Sequence, residues 1–162
     1  MTDKLSQFGH SFQIKSIVCL MTKPQFIEQT FDILNEASYD NDALKGIVKE
    51  CKEYFYEYKK TITMDVFKVK VNTISNDILK TSVVESLKEV FRNFETTDLE
   101  FVQDKTLDFF KNQALKNAII KSVDILEQNG DIESIKELVD GALNAGTERN
   151  IGHEYQEEQA IE

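Results

Sequence analysis

The chain has no tryptophan, one proline, six glycines, two cysteines and two histidines in 162 residues. Each shortage excludes something. A single proline, Pro24, and few glycines argue against a fold made of many tight turns and favour helices. Cys19 and Cys51 each stand alone in an apolar stretch, so neither a disulfide framework nor a metal-ligand spacing is present. Both read as reduced core residues. His10 and His153 have no companion at ligand spacing. His153-Glu154 begins like the zinc motif H-E-x-x-H, but Glu157 stands where the second histidine belongs.

The glycines, at positions 9, 46, 130, 141, 146 and 152, form neither G-x-x-x-x-G-K-[ST] nor G-x-G-x-x-G. ATP hydrolysis by the P-loop route is therefore not expected of this chain. Long apolar runs are missing too. The stretch 16–21 is too short for a signal peptide or a membrane span, which points to a cytoplasmic protein without membrane contact. Positive charge is also in deficit. Nineteen Lys and Arg face 29 Asp and Glu, a net charge of −10. Tight, sequence-independent DNA binding through phosphates is disfavoured, and solubility is the plain use of such a charge.

What is present is helical periodicity, and the expected fold class is all-α. A helix over 12–21 carries Ile14, Ile17, Val18 and Met21 on one stripe. Pro24 suits the first turn of a second helix over 24–34, with Phe26, Ile27, Phe31 and Leu34 apolar. Asn41-Asp42 signals the start of a third helix to position 58, with Leu44, Ile47, Val48, Cys51 and Phe55 as its core face. Thr63 is a cap for a short helix to position 71. The alternation in 66–71 also suits a strand, but no second strand is available to pair with it. Ser75 is the expected cap of a fifth helix over 75–94.

Thr97 and Glu100 form the capping-box pattern T-x-x-E ahead of a long helix, 99–128. Its apolar residues fall on several sides, which predicts cover on several sides. The expected covers are the fifth helix, antiparallel across 93–96, and a twofold mate. Phe101, Phe109, Leu115, Ile119 and Val123 are the candidate self-association face. Asn129-Gly130 ends the long helix, Asp131 caps a last helix over 132–145, and Gly146 ends it. Ile132, Ile135, Leu138, Val139, Ala142 and Leu143 fall in one half of that last helix. With little chain left to cover them, they read as an apolar stripe seeking an external groove, the docking face being Ile132, Ile135, Leu138, Val139 and Leu143. From 147 to 162 five acids meet one base, the composition of a linker or tail.

Catalytic patterns are weak. Carboxylates interleave with lysines at helical spacings, as in Glu85–Lys88–Glu89 and Lys136–Glu137–Asp140, and read as solvated faces. Tyr54 and Tyr58, near Phe55, Lys52, Lys59 and Lys60, could stack a base or a peptide; Phe55 in the core with tyrosines at its rim is the simpler reading.

The order of elements resembles the N-terminal region of replicative DNA helicases of the DnaB type, especially phage versions. The resemblance rests on "FQIKSIVCLMTKPQFIEQTFDILNEASYDNDALKGIVKECKEYFYEY" as a compact helical head. It continues in "FVQDKTLDFFKNQALKNAIIKSVDILEQNGDIESIKELVDGALNAG" as a hairpin arm and linker helix, and in "TERNIGHEY" as the passage towards an ATPase domain. The family's usual proline near the fourth helix of the head is replaced by "KKTITMDVF".

The resemblance implies a head over 1–74, a hairpin over 75–128, a linker helix over 129–146 and a flexible tail over 147–162. It implies homo-oligomerisation into a dimer or ring collar, contact with primase or a helicase loader, and DNA contact only through the full-length ring. No cofactor is implied for this chain, ATP and Mg belonging to the ATPase domain it does not contain. By itself it would be no enzyme. The competing reading is a free-standing acidic helical adaptor or inhibitor that binds a partner through 132–143. A small all-α enzyme is the third, without an acid–base or nucleophile cluster to support it.

Overall fold

A computed structural model describes residues 4–147, and the expectations placed on 148–162, His153 and Glu154 among them, lie outside the described residues. The chain is all-α. Among the described residues seven α-helices follow in order: α1 (His10–Thr22), α2 (Pro24–Thr30), α3 (Asp42–Tyr58), α4 (Met64–Val71), α5 (Asp77–Arg92), α6 (Leu99–Glu127) and α7 (Ile132–Asn144). Two single 3₁₀ turns, Leu5–Phe8 and Glu36–Ser38, complete them.

Local sequence explains most helix starts. Asn41 accepts the amide of Leu44 at 2.9 Å and opens α3, and Thr63 accepts that of Val66 to open α4. These side chains satisfy amides that have no partner within the helix. Pro24 occupies the first turn of α2, where its missing N–H costs nothing. Two expected caps differ. Asn76, not Ser75, caps α5, by accepting the Leu79 amide at 3.0 Å. Asp98, not Thr97, sits at the N-cap of α6, and its carboxylate accepts from Lys15 Nζ at 2.8 Å. Thr97 is therefore not the N-cap of the long helix, and an ion pair from Asp98 to Lys15 ties the start of α6 to α1.

The core is built around α1, which packs on α2, α3, α5, α6 and the Leu5–Phe8 turn. Ile14, Ile17, Val18, Cys19, Leu20 and Met21 are all buried, so α1 is covered on every side rather than on one stripe. Its polar residues are satisfied inside. Gln13 binds both the Asp40 carboxylate and the Asp40 amide at 2.9 Å. Ser16 Oγ lies 2.8 Å from the hydroxyl of the fully buried Tyr39. Such pairing is what makes a buried polar group tolerable.

The expected hairpin of 75–94 with the long helix is not the packing observed. Helix α5 lies against α3 and α1, and so belongs to the head. Helix α6 packs on α1 along its N-terminal half and on α7 along its C-terminal half, which makes α6–α7 the hairpin. The reason lies in the connections. The turn after Arg92 carries α6 across α1 at the Lys15–Asp98 bridge, whereas Asn129-Gly130 reverses the chain tightly.

A candidate assembly surface

The α6–α7 turn is a Schellman arrangement. Asn129 takes the left-handed conformation (φ 55°), the Gly130 amide donates to Ile125 O at 2.7 Å, and the Asn129 amide donates to Leu126 O. A side chain at Gly130 would strike Ile125 Cγ2 at 2.7 Å. Asp131 then accepts the Glu133 amide at 3.0 Å and starts α7. At the other end of α7, Gln29 Nε2 donates to Gly146 O at 3.0 Å. Gly146 sits so close to Ile33 and Lys111 that a Cβ there would lie 2.6 Å from Ile33 Cδ1. The hairpin is thus closed at its tip by a turn and tied at its base to the head.

This packing corrects the picture of a last helix without a partner in its own domain. Ile135, Leu138, Val139 and Ala142 are half-buried in a helix that packs on α6, whose Ala118 and Ser122 are buried. Ala118 and Ser122 are small and buried, so the helix axes approach closely. Ser122 Oγ donates back to Ala118 O at 2.7 Å, which removes its polar cost. Ile132 and Leu143 remain 75% and 59% exposed. The docking face expected over Ile132, Ile135, Leu138, Val139 and Leu143 is therefore split. Its middle faces α6 and its edge is open.

The long helix divides in a similar way. Phe109 was expected on a self-association face, but it is buried. It meets Phe110 edge-on at 5.1 Å and Phe8 at 6.2 Å, and Phe8 in turn lies 4.8 Å from Phe12. This aromatic cluster seals the Leu5–Phe8 turn against α6, so Phe109 serves the core. Leu115 is half-buried, while Phe101, Ile119 and Val123 are exposed. Ile120 and Leu126, absent from the expected face, are exposed as well. Leu126 was findable: it lies three residues after Val123 and seven after Ile119, on the same line of the helix.

Because α6 and α7 run antiparallel, their helical phases put Leu115, Ile119, Val123 and Leu126 on the same side as Ile132, Val139 and Leu143. The opposite side carries Asn117, Lys121 and Asp124 of α6 with Ser134 and Glu137 of α7. One side of the hairpin is thus apolar and the other polar. Phe101 lies on the same line of α6 but is cut off from the apolar side by Asp108 and Asn112, and Lys105 Nζ rests 5.9 Å from its ring.

No family model matches this chain, and no curated protein or solved structure is significantly similar to it. Function must therefore be argued from the surfaces and side chains themselves.

Other candidates are less developed chemically. At the end of α3, Tyr54 and Tyr58 pair at 4.6 Å, Tyr56 stacks on Phe31 at 6.1 Å, and Lys59 Nζ lies 4.8 Å from the Tyr56 ring. Phe55 packs against the core with the tyrosines at its rim. Lys52 turns away, donating to Leu34 O at 2.8 Å. The aromatic groups thus mostly serve one another. His10 Nε2 contacts Glu89 at 2.9 Å on the surface. Among the described residues no three His, Cys, Asp or Glu side chains are placed to hold a metal, and no helix is long and apolar enough to cross a membrane. Both cysteines are buried free thiols. Burial pushes Cys19 up to about 12 and raises Cys51 further, so neither is a ready nucleophile. The Lys15 hydrogen bond holds the Asp98 carboxyl below its ordinary range.

Proposed function

We propose that this chain is an assembly domain whose α6–α7 hairpin seats the same face of a second copy. The observation that carries this reading is the division of the hairpin into one apolar and one polar side, with Ile119, Val123, Leu126, Ile132 and Leu143 open to solvent. A twofold axis through that side would stack hairpin on hairpin as a four-helix bundle, burying all five residues twice over. Leu115 and Val139 supply the half-buried floor of the same seam. In this reading the head orients the hairpin and leaves its own surface free for other proteins.

The resemblance to DnaB-type helicase N-terminal regions gives that assembly a biological setting. Paired copies would form the collar of a ring, primase or a loader would meet the collar, and ATP-driven unwinding would belong to an ATPase domain. Sedimentation and light scattering across rising concentration test the pairing. A dimer or larger species is expected, and Ile119→Glu with Val123→Glu should return it to monomer without loss of helical content. A strict monomer at high concentration overturns the proposal.

A further inference from the structure

A groove of about 700 Å3 runs between α4 and α5, which pack on each other. Phe67, Val71 and Leu87 form its buried floor. The 61% exposed Phe91 stands in one wall, its ring braced on Phe94 at 5.5 Å. Each wall, over 64–72 on one side and 84–92 on the other, rises about 12 Å, the length of two turns of a helix laid between them.

The charge of the groove has one sign. Lys68, Lys88 and Arg92 line it and no carboxylate does, in a chain whose 29 acids outnumber its 19 bases. Lys68 leans on Asp65 at 3.8 Å and Lys88 on Glu85 at 3.6 Å, each pair one turn apart on its own helix and exposed. Such exposed pairs contribute little and yield readily to a better-placed carboxylate. Arg92 stands exposed in the last turn of α5, four residues after Lys88. Two cations at that spacing match two carboxylates spaced one turn apart on a helical ligand, while Lys68 lines the groove from α4.

We propose that the α4–α5 groove receives an amphipathic helix of another protein, its apolar face seated on Phe67, Leu87 and Phe91 and its carboxylates on Lys68, Lys88 and Arg92. A lipid surface is the poorer match. The apolar floor lies sunk between two helices rather than protruding, and a net charge of −10 is repelled by an anionic bilayer. This surface is separate from the hairpin face, and the proposal does not depend on pairing through it.

Fluorescence anisotropy with the full chain and a synthetic peptide tests it. The probe is a labelled helix of about fourteen residues, with leucines along one face and glutamates along both edges. Its control carries lysines in place of the glutamates. The glutamate peptide should bind at least about tenfold tighter than the control, by an amount that shrinks as salt rises. Lys88→Glu with Arg92→Glu should reverse that preference, with circular dichroism showing the variant folded. Phe91→Ala, at an exposed position, should weaken the glutamate peptide about fivefold with little change in the unfolding midpoint. A photoreactive residue on the leucine face should crosslink to peptides covering 64–72 and 84–92. Equal binding of the two peptides, crosslinks directed to the hairpin face or the α3 aromatic cluster, or binding to anionic vesicles in preference to the glutamate peptide overturns the proposal.

Discussion

Helix α1 and the C-terminal half of α6 both carry apolar side chains on more than one side, yet they end in opposite circumstances. Five neighbouring elements close over α1, and six consecutive residues of it, Ser16 to Met21, are buried. The C-terminal half of α6 receives α7 on one side only, where Ala118 and Ser122 are buried, while Ile119, Ile120, Val123 and Leu126 stay in water. The same sequence property thus means core in one place and open surface in the other. What separates them is position in the packing. Helix α1 crosses the middle of the head, whereas α6 runs past it. An apolar face left open on an ordered helix is the usual mark of a contact with another surface.

The sharpest way to break that comparison is to truncate one residue on each side of it. Phe110→Ala removes a fully buried ring packed on Phe109 and should cost about 3–5 kcal/mol in chemical denaturation. Ile119→Ala should stay within about 0.5 kcal/mol for the monomer, as surface substitutions do. Equal losses would mean that Ile119 is core after all.

A middle-sized effect should appear at the seam between the two regions. Leu138 is half-buried against α6, so Leu138→Ala should cost about 1–2 kcal/mol, roughly half of a full core truncation. Amide exchange should speed up in α7 and leave α1 protected, since local opening draws on the least packed unit. Uniform acceleration would show that hairpin and head unfold as one.

The effect that is smallest near neutral pH, and grows above it, concerns the thiols of the head. Burial raises both, Cys19 to about 12. In the unfolded chain they ionise near about pH 8.5. The stability linked to them is therefore whole below that pH and is lost progressively as pH rises towards the folded value of Cys19. Denaturation midpoints should fall between about pH 8.5 and 11, and fall less in Cys19→Ala, while Ellman's reagent leaves both thiols unmodified in the native protein at neutral pH.

Much of the helical pattern was legible because its signals are local. The caps at Asn41, Thr63 and Asp131, the position of Pro24, and the Asn129-Gly130 stop act within one turn of the chain. The errors were of another kind. The Leu5–Phe8 turn and the burial of Tyr39 depend on contacts with α1 and with Phe109, which periodicity does not carry. Phe101 and Phe109 were both assigned to the self-association face although they stand about 80° apart on the wheel of α6; one is in the core and the other is exposed, because the Phe8–Phe12 cluster lies on only one side. The groove between α4 and α5, lined by Phe67, Lys68, Leu87, Lys88 and Arg92, had no single-segment signature, since its residues come from two helices separated by a loop.

Sequence by itself determined that this protein is all-α, where most of its helices lie to within a few residues, and that its last third holds an apolar excess. Those properties follow from hydrogen bonds and periodicities spanning a few residues. Only the tertiary structure decided that α5 belongs to the head, that α7 folds back on α6, and which half of that excess stays exposed. Such choices depend on which helices compete for the same apolar side, and a helix answers to all its neighbours at once.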